Sequence, residues 1–379
     1  MELQGAAIES PGSVSGAPKI NSMNFLYRNR RAVSVENEHL QVIVTVEGGH
    51  IAAIVHKPDG LNPLWTPPWP SIEPSRYDPV QNVEYGSSGE AFLLSGIMGH
   101  SICLDTYGNP SPEEAAAGMP VHGEAAVAPY TIRVSPGRLS LQGILPLAQL
   151  LFRREIQLSK NSRVVLVRES IENLSSCDKP IAWTQHVTLG PPFLERGRTE
   201  FRTCVTQSKV IDEDFTGGLG MQKTGAEFRG LLCPRKDGGI IDLSVYPSDT
   251  MSGGFTTHLL DPQSEHAYFL AWSPTARVVF GYAWKRAEFP WLCRWEENRL
   301  RSDPPWNGQT LTCGMEFGVS PILESRRGMV ERGTLFGERT FRWVPAKGQL
   351  HADYCAFLDV SESIPSEVIW DGAATVRFS

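Results

Sequence analysis

Apolar and polar residues alternate along this chain in short runs, each closed by Gly, Pro, Asn or Asp. LQVIVTV at 40–46 is followed by EGG and then IAAIVH at 51–56; YTIRVS at 130–135 is followed by PG and then RLSLQGILPL. The pattern returns in SRVVLVRESIENL (162–174), PIAWTQHVTL (180–189), GIIDLSVYP (239–247), HAYFLAW (266–272), ARVVFGYAW (276–284) and TLTCGMEFGV (310–319). A period of two sends successive side chains to opposite faces of a sheet, and short segments rich in β-branched residues suit antiparallel strands. The prediction is an all-β fold of large antiparallel sheets. Helical signals are few. SPEEAAAG at 111–118 can form a short helix, with Ser111 as its cap and Glu114 completing the box, and SEHAYFL has weak helical periodicity. A doubly wound α/β fold would need long amphipathic helices between strands, and the glycine-rich nucleotide and phosphate loops are missing too. LWTPPWPSIEPSRYDP at 64–79 cannot continue a central strand, because each proline removes a ladder donor. Its Trp65 and Trp69 either cover the core or line a binding rim.

Length and composition narrow the class. A chain of 379 residues can bury a large core, and 41% apolar with 20% charged residues is the balance of a folded globular protein. The formal net charge of -7 gives no attraction to polyanions, and the basic runs at 28–31 and 326–327 read as solvated faces, so nucleic acid is not an expected partner. The 7 cysteines contain no CxxC pair, which points to reduced structural thiols rather than a zinc knuckle or a dithiol centre. Residues 1–22 lack a basic region and a continuous apolar segment, and read as a flexible tail rather than a signal peptide. No later segment has the roughly 18 apolar residues that spanning a bilayer needs. The expected location is the cytoplasm, without a membrane partner.

Histidine is the side chain best suited to proton transfer near neutrality. His39 and His56 sit at strand ends, and His50 follows the EGG turn, where a structural role suffices. His100 in GIMGHSICLD and His122 in GMPVHGEAA lie beside glycines that let backbone approach a ligand closely; a turn histidine bonded to a carbonyl explains each as well. His186 in PIAWTQHVTLGPPFL shares a strand face with Ala182 and Thr184, while Trp183 and Gln185 take the other. Before a Gly-Pro-Pro turn it can face a cleft and move a proton, or it can be bonded within the sheet. His122 and Glu124 make only a weak metal pair, with no HExxH or His-Cys cluster to complete it, so no metal is expected.

Glu316 in TLTCGMEFGVSP occupies a strong strand pattern between Gly314 and Gly318. A carboxylate there must face solvent or a polar cavity, and in a cavity it is a general-base candidate. Glu296 and Glu297, with Trp291 and Trp295 in FPWLCRWEENR, form an acidic and aromatic cluster that suits a sugar. A sugar packs its CH-rich face on rings while its hydroxyls need polar partners. The same carboxylates can instead pair with Arg294 or Arg299.

Taken together, three segments resemble the galactose mutarotase, or aldose 1-epimerase, superfamily. VHGEAA around His122 is similar to its histidine-glycine segment, TQHVTLGPPF around His186 to its strand-end histidine, and CGMEFGVSP around Glu316 to its late strand with the catalytic glutamate. Their order and separations are similar as well, and the strand pattern extends the likeness over residues 30–345. The resemblance implies a single β-supersandwich domain at 26–379, behind a flexible tail at 1–25, with a sugar cleft on one sheet. It implies that His186 protonates the sugar ring oxygen, that Glu316 takes the proton of the anomeric hydroxyl, and that His122 donates a hydrogen bond that positions the ring oxygen. The pyranose opens to its aldehyde, rotates at the first carbon and closes as the other anomer, with no metal or organic cofactor.

The chain departs from that family in its sugar-positioning groups. Where the family places an arginine before the histidine-glycine motif, LSGIMGHSICLD offers His100; where it places an aspartate, SGGFTTHLLD offers Thr256, Thr257 and His258. The later glutamine and tyrosine segment is replaced by CRWEEN, with Trp295 and Glu296, and Trp291 just before it. The expected sugar contacts are therefore His100, His258, Trp291, Trp295 and Glu296. Two further readings stay open: a carbohydrate-binding protein without turnover, and lyase or hydrolase chemistry on an oligosaccharide, in which Glu296 or Glu297 joins Glu316.

Overall fold

A computed structural model describes residues 20–379, and two antiparallel sheets, one 12-stranded and one 8-stranded, dominate it. The larger runs from Ile20–Tyr27 through Arg30–Glu36, Leu40–Thr45, Ile51–His56 and His100–Asp105 to Lys179–Leu189. It continues through Leu311–Gly318, Trp291–Asn298, Ser252–Leu260 and Val205–Val210 to Glu227–Arg229, and its twelfth strand, Arg342–Val344, pairs with Lys179–Leu189 off this path. The smaller is ordered Glu200–Thr203, His266–Ser273, Val278–Lys285, Gln349–Val360, Val164–Asn173, Leu150–Leu158, Arg138–Leu145 and Thr131–Ser135. Hairpins join most neighbours, but the middle of the large sheet draws strands from distant parts of the chain. There Lys179–Leu189 lies between His100–Asp105 and Leu311–Gly318.

The sheets stack face to face, as the alternation requires: each strand has one apolar side to bury. Trp183, Met315 and Phe317 of the large sheet meet Phe269, Tyr282 and Trp284 of the small one, all buried, with the Trp284 and Phe317 rings stacked at 4.1 Å. A polar island interrupts this apolar layer. Arg154 Nε donates to Glu169 Oε1 at 2.7 Å, and Trp183 Nε1, Gln185 Nε2 and the Tyr354 hydroxyl also donate to that carboxylate. A buried charge is tolerated where its partners replace water in this way.

The helix Pro112–Ala116 forms with the expected Ser111–Glu114 capping box. The HAYFL of SEHAYFL lies in the strand His266–Ser273, and GIIDLSVYP contributes only Ile240–Asp242. The 12-residue strand Gln349–Val360 is absent from the alternation pattern because both its faces are covered: Tyr354, Ala356 and Leu358 enter the main core while Cys355 and Phe357 enter a second cluster. Residues 1–19 of the expected tail lie outside the described residues, and the strand Ile20–Tyr27 begins within its remainder. Among the described residues no helix is long and apolar enough to cross a membrane.

Candidate active site

The strand Lys179–Leu189 turns Trp183 and Val187 into the core, so Thr184 and His186 take the outer face. In the next strand Gln185 stands opposite Phe317 and Thr188 opposite Gly314, a register that sets His186 beside Glu316. Met315 and Phe317 enter the core, which leaves Glu316 on the same outer face as His186. His186 Nε2 is 3.4 Å from Glu316 Oε1, and its Nδ1 is 3.1 Å from the Thr188 hydroxyl. The Tyr107 hydroxyl donates to the other carboxylate oxygen, Oε2, at 2.5 Å. Gly314 makes room for this group, because a Cβ there would stand 2.5 Å from Glu316 Oε1. Burial raises the Glu316 carboxyl above the usual carboxylate range, against the opposing pull of His186 and the Tyr107 hydroxyl. Burial also holds the Tyr107 phenol well above its ordinary value, so it remains a donor.

His122 reaches the same place from the loop after the helix Pro112–Ala116, with φ of 65° in the left-handed region. Its neighbour Gly123, at φ 81°, lies so close to the strand His100–Asp105 that a Cβ would meet the Leu104 carbonyl at 2.0 Å. Only glycine fits there. The Gly108 amide donates to His122 Nδ1 at 3.1 Å, which leaves the proton of the neutral ring on Nε2. Burial, with His186 nearby, pushes the His122 pKa down to about 3. The ring is thus a neutral donor near pH 7, its centroid 5.4 Å from that of His186.

These groups form the floor of a cleft with a volume of about 270 Å³. Trp65, Trp295 and Trp306 line it, Trp65 stacked on Trp306 at 6.1 Å and Trp295 edge-on to Trp306 at 5.8 Å. The Arg301 guanidinium lies 4.4 Å over the Trp306 ring and pairs with Glu90 at 2.6 Å. On the other side Arg332 pairs with Glu324 at 3.0 Å. Of the two openings for Trp65, the rim and the core, the structure combines both: the ring is buried and lines the cleft.

The structure thus brings His122, His186, Glu316 and Trp295 together and sends the other four expected sugar contacts elsewhere. Ser101, not His100, stands opposite His186, so His100 takes the inner face and bonds the Tyr282 hydroxyl at 3.0 Å and Gln185 Oε1 at 2.9 Å. His258 sits between the Ser208 and Thr256 hydroxyls at 2.8 and 2.9 Å; its strand presents Phe255 to the cleft instead. Trp291 is buried and donates to the Arg339 carbonyl at 2.8 Å. Glu296 is held by Arg294 at 2.9 Å and by the Ser252 hydroxyl at 2.6 Å, while Glu297 accepts from the amides of Leu300 and Arg301. Neither supplies the second carboxylate that oligosaccharide cleavage would draw from this pair. Tyr107 was not among the expected residues, and nothing in LDTYGNP marks it beyond a turn.

The two large antiparallel sheets form a galactose mutarotase-like β-sandwich, and solved structures with that fold superpose on this chain over most of its length. A candidate aldose 1-epimerase from Klebsiella pneumoniae does so with a TM-score of 0.64 and 15% identity, covering 88% of this chain and 80% of that one. A galactose mutarotase-like protein from Clostridium acetobutylicum gives 0.58 at 12% identity, covering 91% and 99%. A galactose mutarotase related enzyme from Lactobacillus acidophilus gives 0.55 at 10% identity, covering 88% and 99%. No protein-family model and no curated protein sequence matches the chain.

Proposed function

We propose that this protein interconverts the anomers of an aldose by opening and reclosing its hemiacetal ring. The observation that carries this reading is the approach of His186 Nε2 to Glu316 Oε1 at 3.4 Å on the floor of the cleft. The ring oxygen and the anomeric hydroxyl share one carbon, so an acid and a base that serve them together must stand close enough for each to reach its own oxygen of that carbon. In the reactive state the proton rests on His186 and the Glu316 carboxylate is ionised. Glu316 takes the hydroxyl proton, the oxygen's electron pair forms the carbonyl, and the ring C–O bond breaks as its oxygen receives the His186 proton. Rotation about the bond to the first carbon and the reverse transfers give the other anomer. The neutral Nε2–H of His122 is suited to hold the ring oxygen, and the raised Glu316 carboxyl makes a stronger base once ionised.

The fold shared with aldose 1-epimerase and mutarotase structures supports the same chemistry. Exchange NMR on single anomers tests it, with the parent protein compared with His186→Ala and Glu316→Gln. The parent is expected to accelerate exchange and both variants to lose at least a hundredfold, the usual contribution of one acid or base. Saturable sugar binding with no acceleration by the parent would replace this reading with that of a binding protein.

A further inference from the structure

The reacting floor fills one end of the cleft, and the remainder has a different chemistry. Two hydrophobic clusters meet there, with Trp295 packed against both. One brings Leu93, Leu94 and Ile97 to the cleft; the other brings Ile211, Ile322 and Leu323. Exposure rises outward, from 7% and 2% for the His186 and Glu316 side chains to 31% for Arg301 and 28% for Arg332. Leu93, Leu94 and Ile97 are as buried as the polar floor, so floor and apolar band together form the inner cleft and the arginines form its charged rim.

The rim does not offer a free cation. Arg301 is engaged by Glu90, and Arg332 is held through both oxygens of Glu324 at 3.0 and 3.2 Å. Asp212, Glu213 and Glu316 add three carboxylates to the lining, so it carries five against two arginines. An anionic substituent would face net repulsion there. Where Leu93, Leu94, Ile97, Ile211, Ile322 and Leu323 form the wall, a hydroxyl would leave water and meet carbon, and a buried hydroxyl without a partner is unfavourable. The polar lining residues Asn109, Asp212 and Glu213 are exposed and stay hydrated, Asp212 also paired with Lys209 at 2.9 Å, so they do not replace that lost water.

We propose that the cleft takes an uncharged aldose with an apolar end remote from its anomeric carbon, of the deoxy-sugar class, and rejects sugar phosphates and uronates. This assignment rests on the anomer-exchange reading for the direction in which the sugar lies. The anomeric carbon meets His186 and Glu316, the CH faces lie against the two apolar walls, and the deoxygenated end occupies the band.

Matched sugars test it: galactose against 6-deoxygalactose, glucose against 6-deoxyglucose, and both hexoses against glucose 6-phosphate and glucuronate. Affinity is read from the fluorescence of the cleft tryptophans, and anomer exchange by NMR on the same samples. Each 6-deoxy sugar is expected to bind roughly tenfold tighter than its parent, and each anion at least tenfold weaker than glucose, the scale on which one buried group discriminates. Leu323→Asn, at a half-buried position that tolerates a polar group, is expected to narrow the deoxy preference. Parent hexoses binding as tightly as their deoxy partners, or an anion binding best, would overturn the assignment. The binding order without any exchange would sink the catalytic reading and leave the ligand class standing; exchange without the order would do the reverse. Failure of every sugar to bind overturns both.

Discussion

Tyr107→Phe removes one oxygen and keeps the ring, so it isolates the hydrogen bond to Glu316. That bond, at 2.5 Å, joins two buried groups and favours the ionised carboxylate. A hydrogen bond to a charged acceptor contributes about 1.5–3 kcal/mol and one to a neutral acceptor about 0.5–1.5 kcal/mol, so its loss removes on the order of 1 kcal/mol that favours the ionised form and should raise the Glu316 pKa. The other groups facing the carboxylate do not obscure the shift. Burial pushes the Cys103 and Cys293 thiols up, so they stay neutral, and His122 is pushed down to about 3. His186, whose Nε2 lies 3.4 Å from Oε1, is kept in both proteins and pulls the Glu316 carboxyl down in each. Because the proposed base must be ionised, the acid limb of the kcat profile should move to higher pH with it, with KM little changed. The carboxyl carbon of Glu316, followed by 13C NMR, gives the same midpoint without any substrate. Should that midpoint stay put or fall, the hydroxyl does not stabilise the carboxylate and the reasoning fails.

Three further outcomes follow from the geometry. Gly314→Ala should place a methyl 2.5 Å from Glu316 Oε1, displace the carboxylate and lower kcat at least tenfold, about 1.4 kcal/mol of barrier, in a protein that still folds; unchanged kcat would show that the base lies elsewhere. His100→Gln should lower stability by about 1–3 kcal/mol in urea unfolding, through its lost bonds to Tyr282 and Gln185, with sugar affinity unchanged; a selective loss of affinity would return His100 to the cleft. His50 and His258 are buried with pKa values pushed down to about 3 by burial, so the unfolded chain binds their protons first as pH falls. Each should therefore remove stability between roughly pH 6.5 and 3, at up to about 1.4 kcal/mol per pH unit, while the raised Glu316 works weakly in the opposite sense. Denaturant midpoints that are flat or rising from pH 6 to 4 would contradict this.

What the chain discloses before folding depends on the range over which each constraint acts. Period-two alternation acts within one strand, and it correctly separated Thr184 and His186 from Trp183, and Glu316 from Met315 and Phe317. It fails where both faces are covered, as in the Tyr354–Leu358 stretch of Gln349–Val360, where successive side chains are buried whatever their direction. It is silent on register between strands. His100 and His186 lie on paired strands, yet the register sets Ser101 beside His186, and that single step sends His100 to the far side of the sheet. The glycines around His100 could not reveal this, since Gly99 serves a tight approach to the Ile51 carbonyl, at 2.5 Å from its absent Cβ, rather than to a ligand.

The cleft walls lie beyond local reasoning for another reason. Leu93, Ile211, Trp306 and Leu323 come from four separate segments outside the two large sheets' paired strands, and no periodicity relates them. Tyr107 belongs to the same category, being defined by Glu316, 209 positions away. Its turn nevertheless links two parts of the site. The Tyr107 hydroxyl holds Glu316 while the amide of the next residue, Gly108, holds His122 Nδ1. The turn is itself fixed by the Glu324 amide on the Tyr107 carbonyl at 2.7 Å, and Glu324 is the carboxylate that engages Arg332 at the rim. Glu316, His122 and the rim therefore share one short backbone segment. A change at the rim that shifts Glu324 would be felt first in the orientation of His122 and Glu316, before any loss of the surrounding core.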